Sequence, residues 1–525
     1  MAARAGAPRP AEHPADRFRL DRISGVLLGA ACGDALGVPY EFARRLTAHE
    51  TPHMLGGGLG PYAPGEYSDD TQMAVCLAQV TAGVPDLLST AALNGVAENF
   101  LTWRREGATD IGDQTRAILD EALPSGGTPE VAARMLAAAA ARYASGAPGA
   151  GNGSLMRTAP IALAYPHDPR ATAELAALYG RLTHADPLAE DACVLWCEGI
   201  RQAVDNGGFE GVRNGLALLP EERRAQWAAR LDQAETRPPH AFSPNGFVVS
   251  ALQAAYSAIM TTPVPESRPA EGVFAADHFR LALENAVRAG DDTDTVAAIA
   301  GALLGARWGV SAVPWQWQRA VHGWPGIHSR DLISLAVRTA TNDRPNAYGW
   351  PHCRRHPHYA DVTAPFSVAH PHDPGVVLGN LRLAQPWAGR VDAVVSLCAT
   401  GSEDFAEVPR ADHIQIWLVD LPGENAHDHF AVEQAARAVA GLRDEGRTVL
   451  LHCAAGRSRT PAVAARYAAI RGVDTARALA EVMAALAPNA PRLNSELRRF
   501  VFELAGRTDP DPGADHPRTM LMGPR

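Results

Sequence analysis

Two domains of different class are predicted: an all-α N-terminal domain over residues 17–340 and an α/β C-terminal domain over 376–506. Three observations predict them. Glycines recur four residues apart, at Gly25, Gly29, Gly33 and Gly37 and again at Gly301, Gly305 and Gly309, inside stretches of helical periodicity. Over 341–375 prolines, glycines and histidines accumulate and that periodicity stops, as at a linker. Beyond it, short apolar runs alternate with helical ones, the pattern of a strand–helix fold.

The 525 residues, 46% hydrophobic and 20% charged, are enough for two or three domains with real cores. Net charge is −10 and every basic residue is Arg, so bulk electrostatics gives no reason to expect nucleic-acid binding. Seven scattered cysteines fit reduced thiols in a cytoplasm. Met1 to Asp16 lacks the apolar core of a signal peptide, and no apolar run is expected to span a bilayer. Residues 1–16 and 507–525 read as disordered tails.

Ile23 to Val38 reads as a helix with one glycine face. Each interior Gly costs about 1 kcal/mol against Ala, so the face needs compensation, and close approach of another backbone supplies it. Two acidic runs then stand out. Ser68-Asp69-Asp70-Thr71 precedes a helical stretch from Gln72 to Gln79, and Asp292-Thr293-Asp294-Thr295 precedes one from Val296 to Trp308. The plain reading of each run is an acidic N-cap, favoured by free N–H groups and the helix dipole. If the glycine-faced helices cross, the runs meet. Ser68, Asp69, Asp70, Asp292, Asp294 and Thr295 then offer six oxygens, whose charges repel unless cations sit among them. Oxygen ligands at that density suit two Mg²⁺ or Mn²⁺ ions.

Between the runs, helices are expected at Leu87–Arg104, Asp113–Leu123 and Glu130–Ala144. The plain reading of Asp110 is an N-cap. Gly149 to Ser154 is a glycine-rich turn of the kind that shows backbone N–H groups to phosphate oxygens. The plain reading of Thr183-His184 is a helix-capping Thr beside a buried His. Cys193 and Cys197, one helical turn apart, read as core.

Taken with Gly33-Asp34-Ala35-Leu36-Gly37, Asp110-Ile111-Gly112, Gly151-Asn152-Gly153-Ser154-Leu155-Met156-Arg157 and Thr183-His184, the runs resemble the ADP-ribosylglycohydrolase family. That family includes dinitrogenase-reductase-activating glycohydrolases and ADP-ribosyl-acceptor hydrolases, and the resemblance covers roughly Arg17 to Ala340. It implies an orthogonal helix bundle that cleaves ADP-ribose from a protein or small acceptor. It also implies ADP-ribose binding by Gly112, Gly151, Asn152, Gly153, Ser154 and His184. Asp110 would be the acid/base residue, and Glu41 would gate or assist the metals. One departure is Asp291, where the family usually has glycine; it either crowds the site or faces solvent. It leaves open a module that binds ADP-ribosylated partners without turnover.

His352, Cys353, His356 and His358 fit no closed zinc site and read as solvated linker. Strands are expected at Val376–Gly379, Ala393–Leu397, Ile414–Leu418 and Thr448–His452, with helices at His429–Glu445 and Pro461–Arg471. Between the last strand and helix lies His452-Cys453-Ala454-Ala455-Gly456-Arg457-Ser458-Arg459-Thr460. Such a loop closes on an anion, with N–H groups and Arg459 facing phosphate oxygens. The same positive field favours a thiolate nucleophile at Cys453. This stretch resembles the protein tyrosine and dual-specificity phosphatases over about Pro374 to Ala505. The resemblance implies phosphomonoester hydrolysis on a phosphorylated protein or nucleotide. Asp420 would protonate the leaving alcohol, with Asp428 in reserve, and Ser458 would assist the thiolate as it leaves.

Overall fold

The computed structural model describes residues 14–125, 127–357, 362, 364–384 and 390–511. The outer parts of both expected tails, and His358, lie outside the described residues. The inner parts are structured: Pro14 already opens a helix, and Arg498 clasps Asp509 through Nε and Nη2 at 2.7 and 2.9 Å. The chain forms two compact units, one of Leu20–Pro265 with Ala275–Arg344, the other of Pro345–Arg525 with Met1–Arg19 and Glu266–Phe274.

The first unit is helical. The helices that build its site are α1 (Pro14–Gly37), α2 (Asp69–Thr81), α3 (Asp113–Ala122), α4 (Pro169–Gly180), α5 (Val248–Met260) and α6 (Thr293–Trp308). Contrary to the sequence expectation, α1 is long and apolar enough to cross a bilayer. Its apolar window is 89% buried in the protein, the signature of a core helix. Helix α6 is buried almost throughout and shows the same apolar character on every side.

Both helices are buried because they lie backbone to backbone. A Cβ on Gly33 would stand 2.0 Å from the Ala297 carbonyl oxygen, and one on Gly301 would stand 2.1 Å from that of Gly29. No side chain fits such gaps, so the glycines are what permit the crossing. The contact runs to the end of α1, where the Thr293 hydroxyl donates to the Gly37 carbonyl at 2.9 Å. The start of α6, which carries the second acidic run, is thereby fastened to the end of α1.

The unit is not purely helical. Strands β1 (His322–Gly323) and β2 (Ile327–His328) form a short antiparallel pair, and Tyr67, next to the first acidic run, donates its hydroxyl to the Trp324 carbonyl at 2.9 Å.

The second unit holds a five-stranded sheet of β3 (Ser367–His370), β4 (Asp373–Asn380), β5 (Ala393–Ser396), β6 (His413–Gln415) and β7 (Val449–Cys453), in the order β3-β4-β7-β5-β6. All neighbours are parallel except the edge pair β3 and β4. Helices α7 (Asp428–Asp444) and α8 (Arg459–Ile470) follow the expected positions closely. The expected linker needs correction: β3 and the first residues of β4 lie within 341–375. His356 is also buried, and its N–H donates to Asp404 at 2.9 Å, so this stretch is no solvated tether. Among the described residues, His352, Cys353 and His356 form no three-ligand cluster.

Candidate functional site

The two acidic runs meet. Ser68 N-caps α2 in sequence position, yet its side chain makes no capping bond. Its Oγ instead donates to Asp34 Oδ1 at 2.8 Å and lies 3.2 Å from Asp70 Oδ2 and 3.3 Å from Asp294 Oδ2. Asp292 likewise stands at the N-cap of α6 without capping it. The plain N-cap reading therefore fails for both runs.

Carboxylate oxygens converge in two groups, Asp34 with Asp70 and Asp294, and Glu41 with Asp292 and Asp294, each within 4.8 Å. Asp294 belongs to both. Asp69, half-buried, feels the negative charges of Asp110, Asp34 and Asp292. Burial first, and neighbouring carboxylates second, hold Asp69, Asp70 and Asp294 well above the usual carboxylate range. Thr295, in the first turn of α6, is buried beside them and donates its backbone N–H to Asp294 Oδ1 at 2.9 Å.

Asp70 Oδ1 is buried with no hydrogen-bond partner. A buried acceptor left bare is costly, and here it faces a cluster of like charge. Hard, oxygen-only donors with an orphaned carboxylate oxygen fit divalent cations.

Asp34, on the glycine face of α1, both ties down the first run and joins the cluster. It accepts from Ser68 N and Oγ and from Thr71 N and Oγ1, at 2.6–2.9 Å, and joins one oxygen group itself. Two asparagines hold the other run. Asn152 Nδ2 donates to Asp292 Oδ2 at 2.8 Å, and Asn245 Oδ1 accepts from Asp292 N at 2.9 Å. Asn152, expected to bind ADP-ribose, thus turns its side chain to the acidic cluster. Asn245 was missed because a lone Asn between turns carries no periodic signal.

Glu41 stands one short 3-10 turn (Val38–Tyr40) beyond α1, close enough to Asp110 for the two carboxyls to act on each other. Burial, then the charges of Asp110 and Asp292, push Glu41 up to about 10. Asp110 is raised as well, chiefly by burial. The Asp291 carboxylate accepts from Ser243 Oγ at 2.5 Å and joins neither oxygen group. Its carbonyl accepts from Phe42 N at 2.7 Å, which anchors the residue next to Glu41.

The glycine-rich turn borders this cluster. A Cβ on Gly151 would lie 3.2 Å from His184 Nε2, and one on Gly153 3.1 Å from His184 Cε1. Ser154 is buried against Cys193, whose thiol lies 3.6 Å from its hydroxyl. Gly112 precedes α3 and faces open space.

The family model of the ADP-ribosylglycohydrolases matches residues 14–347. The chain belongs to the ADP-ribosylglycohydrolase family. Its relatives include the ADP-ribosyl-[dinitrogen reductase] glycohydrolase of Rhodospirillum rubrum, 27% identical over 57% of this chain and 89% of that protein. Another is the ADP-ribosylarginine hydrolase Tri1 of Pseudomonas putida, 31% identical over 58% and 74%. ADP-ribosyl hydrolase activity is supported at the level of the family, which is metal-dependent, and the acidic groups here could bind metal. Among solved structures, human DUSP28 is 23% identical over 27% of this chain and 95% of its own, with a TM-score of 0.24.

In the second unit, β7 delivers Cys453 to the loop that opens α8. The thiol is buried and accepts the Gly456 N–H at 3.2 Å. Gly456 takes φ +71°, which carries the chain around the sulfur. Arg459 Nη1 donates to the carbonyls of Leu397 and Leu418 at 2.7 and 3.1 Å, and its Nε lies 4.0 Å from Asp420 Oδ2. The Ser458 hydroxyl donates to Asp420 Oδ1 at 2.5 Å and accepts from Asn494 N at 3.1 Å. Ser458, expected to assist the thiolate, is therefore committed to Asp420. The neighbouring Thr460 hydroxyl, buried and without a hydrogen-bond partner, was passed over in the sequence. Asp428 opens α7 among Glu496, His429 and Arg499, raised chiefly by burial.

Proposed function

We propose that the helical unit hydrolyses the glycosidic bond between ADP-ribose and a modified protein or small acceptor. Two divalent cations, Mg²⁺ or Mn²⁺, would be held by Ser68, Asp69, Asp70, Asp292, Asp294 and Thr295 together with Asp34. The observation that carries this reading is the pair of buried carboxylate groups sharing Asp294, with Asp70 Oδ1 orphaned among them. Bound there, the cations supply Lewis acidity and a more acidic water.

The chain's own residues supply the rest. The turn at Gly151–Ser154, buttressed by His184, orients the diphosphate. Asn152 and Asn245 keep Asp292 aimed into the cluster. Glu41 and Asp110, both raised chiefly by burial, are the carboxyls placed to give a proton to the departing acceptor. Asp291 faces Ser243 and is outside both oxygen groups, which favours turnover over a binding-only module. Asp294→Asn should lower metal-dependent ADP-ribose release from an ADP-ribosylated arginine peptide at least a hundredfold, on the order of 3 kcal/mol in the barrier. Undiminished release would overturn the metal reading.

For the second unit, the loop around Cys453 supports phosphomonoester hydrolysis. The thiolate would attack phosphorus as the ester P–O bond breaks, and Asp420 would give its proton to the leaving alkoxide. Water would then split the S–P bond and free phosphate. Cys453→Ser should abolish turnover of a phosphotyrosine peptide and of a small phosphate ester alike; comparing the wild-type rates on the two separates a protein from a nucleotide substrate. An unchanged rate in the variant would remove Cys453 as nucleophile.

A further inference from the structure

Arg157 is 1% exposed and has no carboxylate partner among the described residues. Its guanidinium lies over the Phe100 ring at 4.8 Å, and Nη1 reaches only the Met73 sulfur at 3.7 Å. Burial brings it down to about 10, which leaves it charged at neutral pH. A buried charge kept without a counter-ion is expensive, and nothing in the hydrolytic scheme above uses it.

Its one strong hydrogen bond explains it. Arg157 Nη2 donates to Thr183 Oγ1 at 2.6 Å, and Thr183 Oγ1 lies 2.7 Å from His184 Nδ1. Guanidinium only donates, so Thr183 must accept from it. The Thr183 hydroxyl then has one proton to place, and His184 Nδ1 is its only acceptor among the described residues. Were Nδ1 protonated, that hydroxyl would be buried facing a second donor. Nδ1 is therefore the acceptor, and the proton of the neutral ring sits on Nε2.

We propose that Arg157, acting through Thr183, is a positioning residue that locks His184 in the Nε2–H form, so that the ring presents a fixed donor to a phosphate oxygen held at the Gly151–Ser154 turn. Nε2 is the nearest atom to where a Gly151 side chain would begin, and it donates to no group among the described residues. Burial and the nearby Arg157 charge keep the ring neutral, well below its ordinary range. Gln114 steadies the same corner, its Nε2 donating to the carbonyls of Thr183 and Gly149 at 2.9 and 3.1 Å. A relay of two rigid bonds gives the turn a donor whose direction does not depend on solvent.

The proposal rests on ADP-ribose binding at that turn, but its first readout does not. In the ligand-free protein, ¹⁵N spectra of labelled histidine should show His184 protonated at Nε2 and bare at Nδ1 near pH 7. Thr183→Val removes the hydroxyl at nearly constant volume. It should release the tautomer and weaken free ADP-ribose about tenfold by calorimetry, the loss of one well-directed hydrogen bond. Thr183→Ser should restore both. A wild-type ring protonated at Nδ1, or a Thr183→Val protein with unaltered tautomer and affinity, would overturn the relay. If wild type shows the Nε2–H form yet binds no ADP-ribose, the relay stands as a fact of the fold, but its ligand and the reading of the site both fall. Arg157→Met, checked for folding by circular dichroism, should reproduce the Thr183→Val spectrum.

Discussion

Asp294 is the one carboxylate common to both oxygen groups, and its surroundings work against it whenever cations are absent. Burial, then Asp70 and Glu41, raise it well above its ordinary range. A group raised in the fold contributes stability at low pH and loses it as pH rises. In chelator at pH 8, Asp294→Asn should therefore melt higher than wild type, by about 1–3 kcal/mol of relieved repulsion. Adding Mg²⁺ should reverse the order, because only wild type keeps both groups. A variant that melts lower in chelator would mean that Asp294 is held by bonds of its own. Asp21 allows the same reasoning far from the cluster. It caps the turn after α6, accepting from Ser311 N and Oγ at 3.0 and 2.6 Å, and burial raises it from 3.8 to about 6. Its contribution is full below pH 3.8 and is lost as pH climbs through 6. Asp21→Asn should flatten the stability profile between pH 4 and 7 and gain at most about 3 kcal/mol above it. Equal slopes for variant and wild type in urea melts would refute that cost.

At the scale of elements, the crossing of α1 and α6 is what turns two stretches of sequence into one site. A Cβ on Gly301 would meet the Gly29 carbonyl oxygen at 2.1 Å, so Gly301→Ala must push the helices apart. Overpacking of this kind costs about 1–3 kcal/mol or more. The same displacement separates Asp294 from Asp34 and Asp70, so Mg²⁺ affinity should fall along with stability. Gly83→Ala, whose nearest neighbour would lie at 3.8 Å, should change neither. This crossing was legible in the sequence, because glycine at four-residue spacing has few purposes other than close approach. The antiparallel edge strand β3 was not. Pro371 and Pro374 flank its turn, and proline at a sheet edge looks the same as proline in a linker. Ser458 and Thr460 posed a similar difficulty: both are hydroxyls beside Arg459, and only the bond from Ser458 to Asp420 separates their roles.

At the scale of the whole molecule, the chain gathers two clusters of opposite electrostatics. The helical unit gathers negative oxygens that call for cations, whereas the loop around Cys453 gathers N–H groups and an arginine that call for an anion. Both were legible because their residues cluster along the chain or repeat in spacing. What surrounds them was harder to read. Asn152, Asn245 and Arg157 act through hydrogen bonds to partners far away in sequence, and such bonds leave no periodic trace. The most direct test of the acidic centre is to titrate metal-stripped protein with Mn²⁺ while following both bound metal and ADP-ribose release from an ADP-ribosylated arginine peptide. Release should be absent in chelator, appear as two ions bind per chain, and fail in Asp70→Asn at the same metal concentrations. Full release in chelator, or full release by Asp70→Asn, would contradict the assignment of the joined acidic runs as a divalent-cation site.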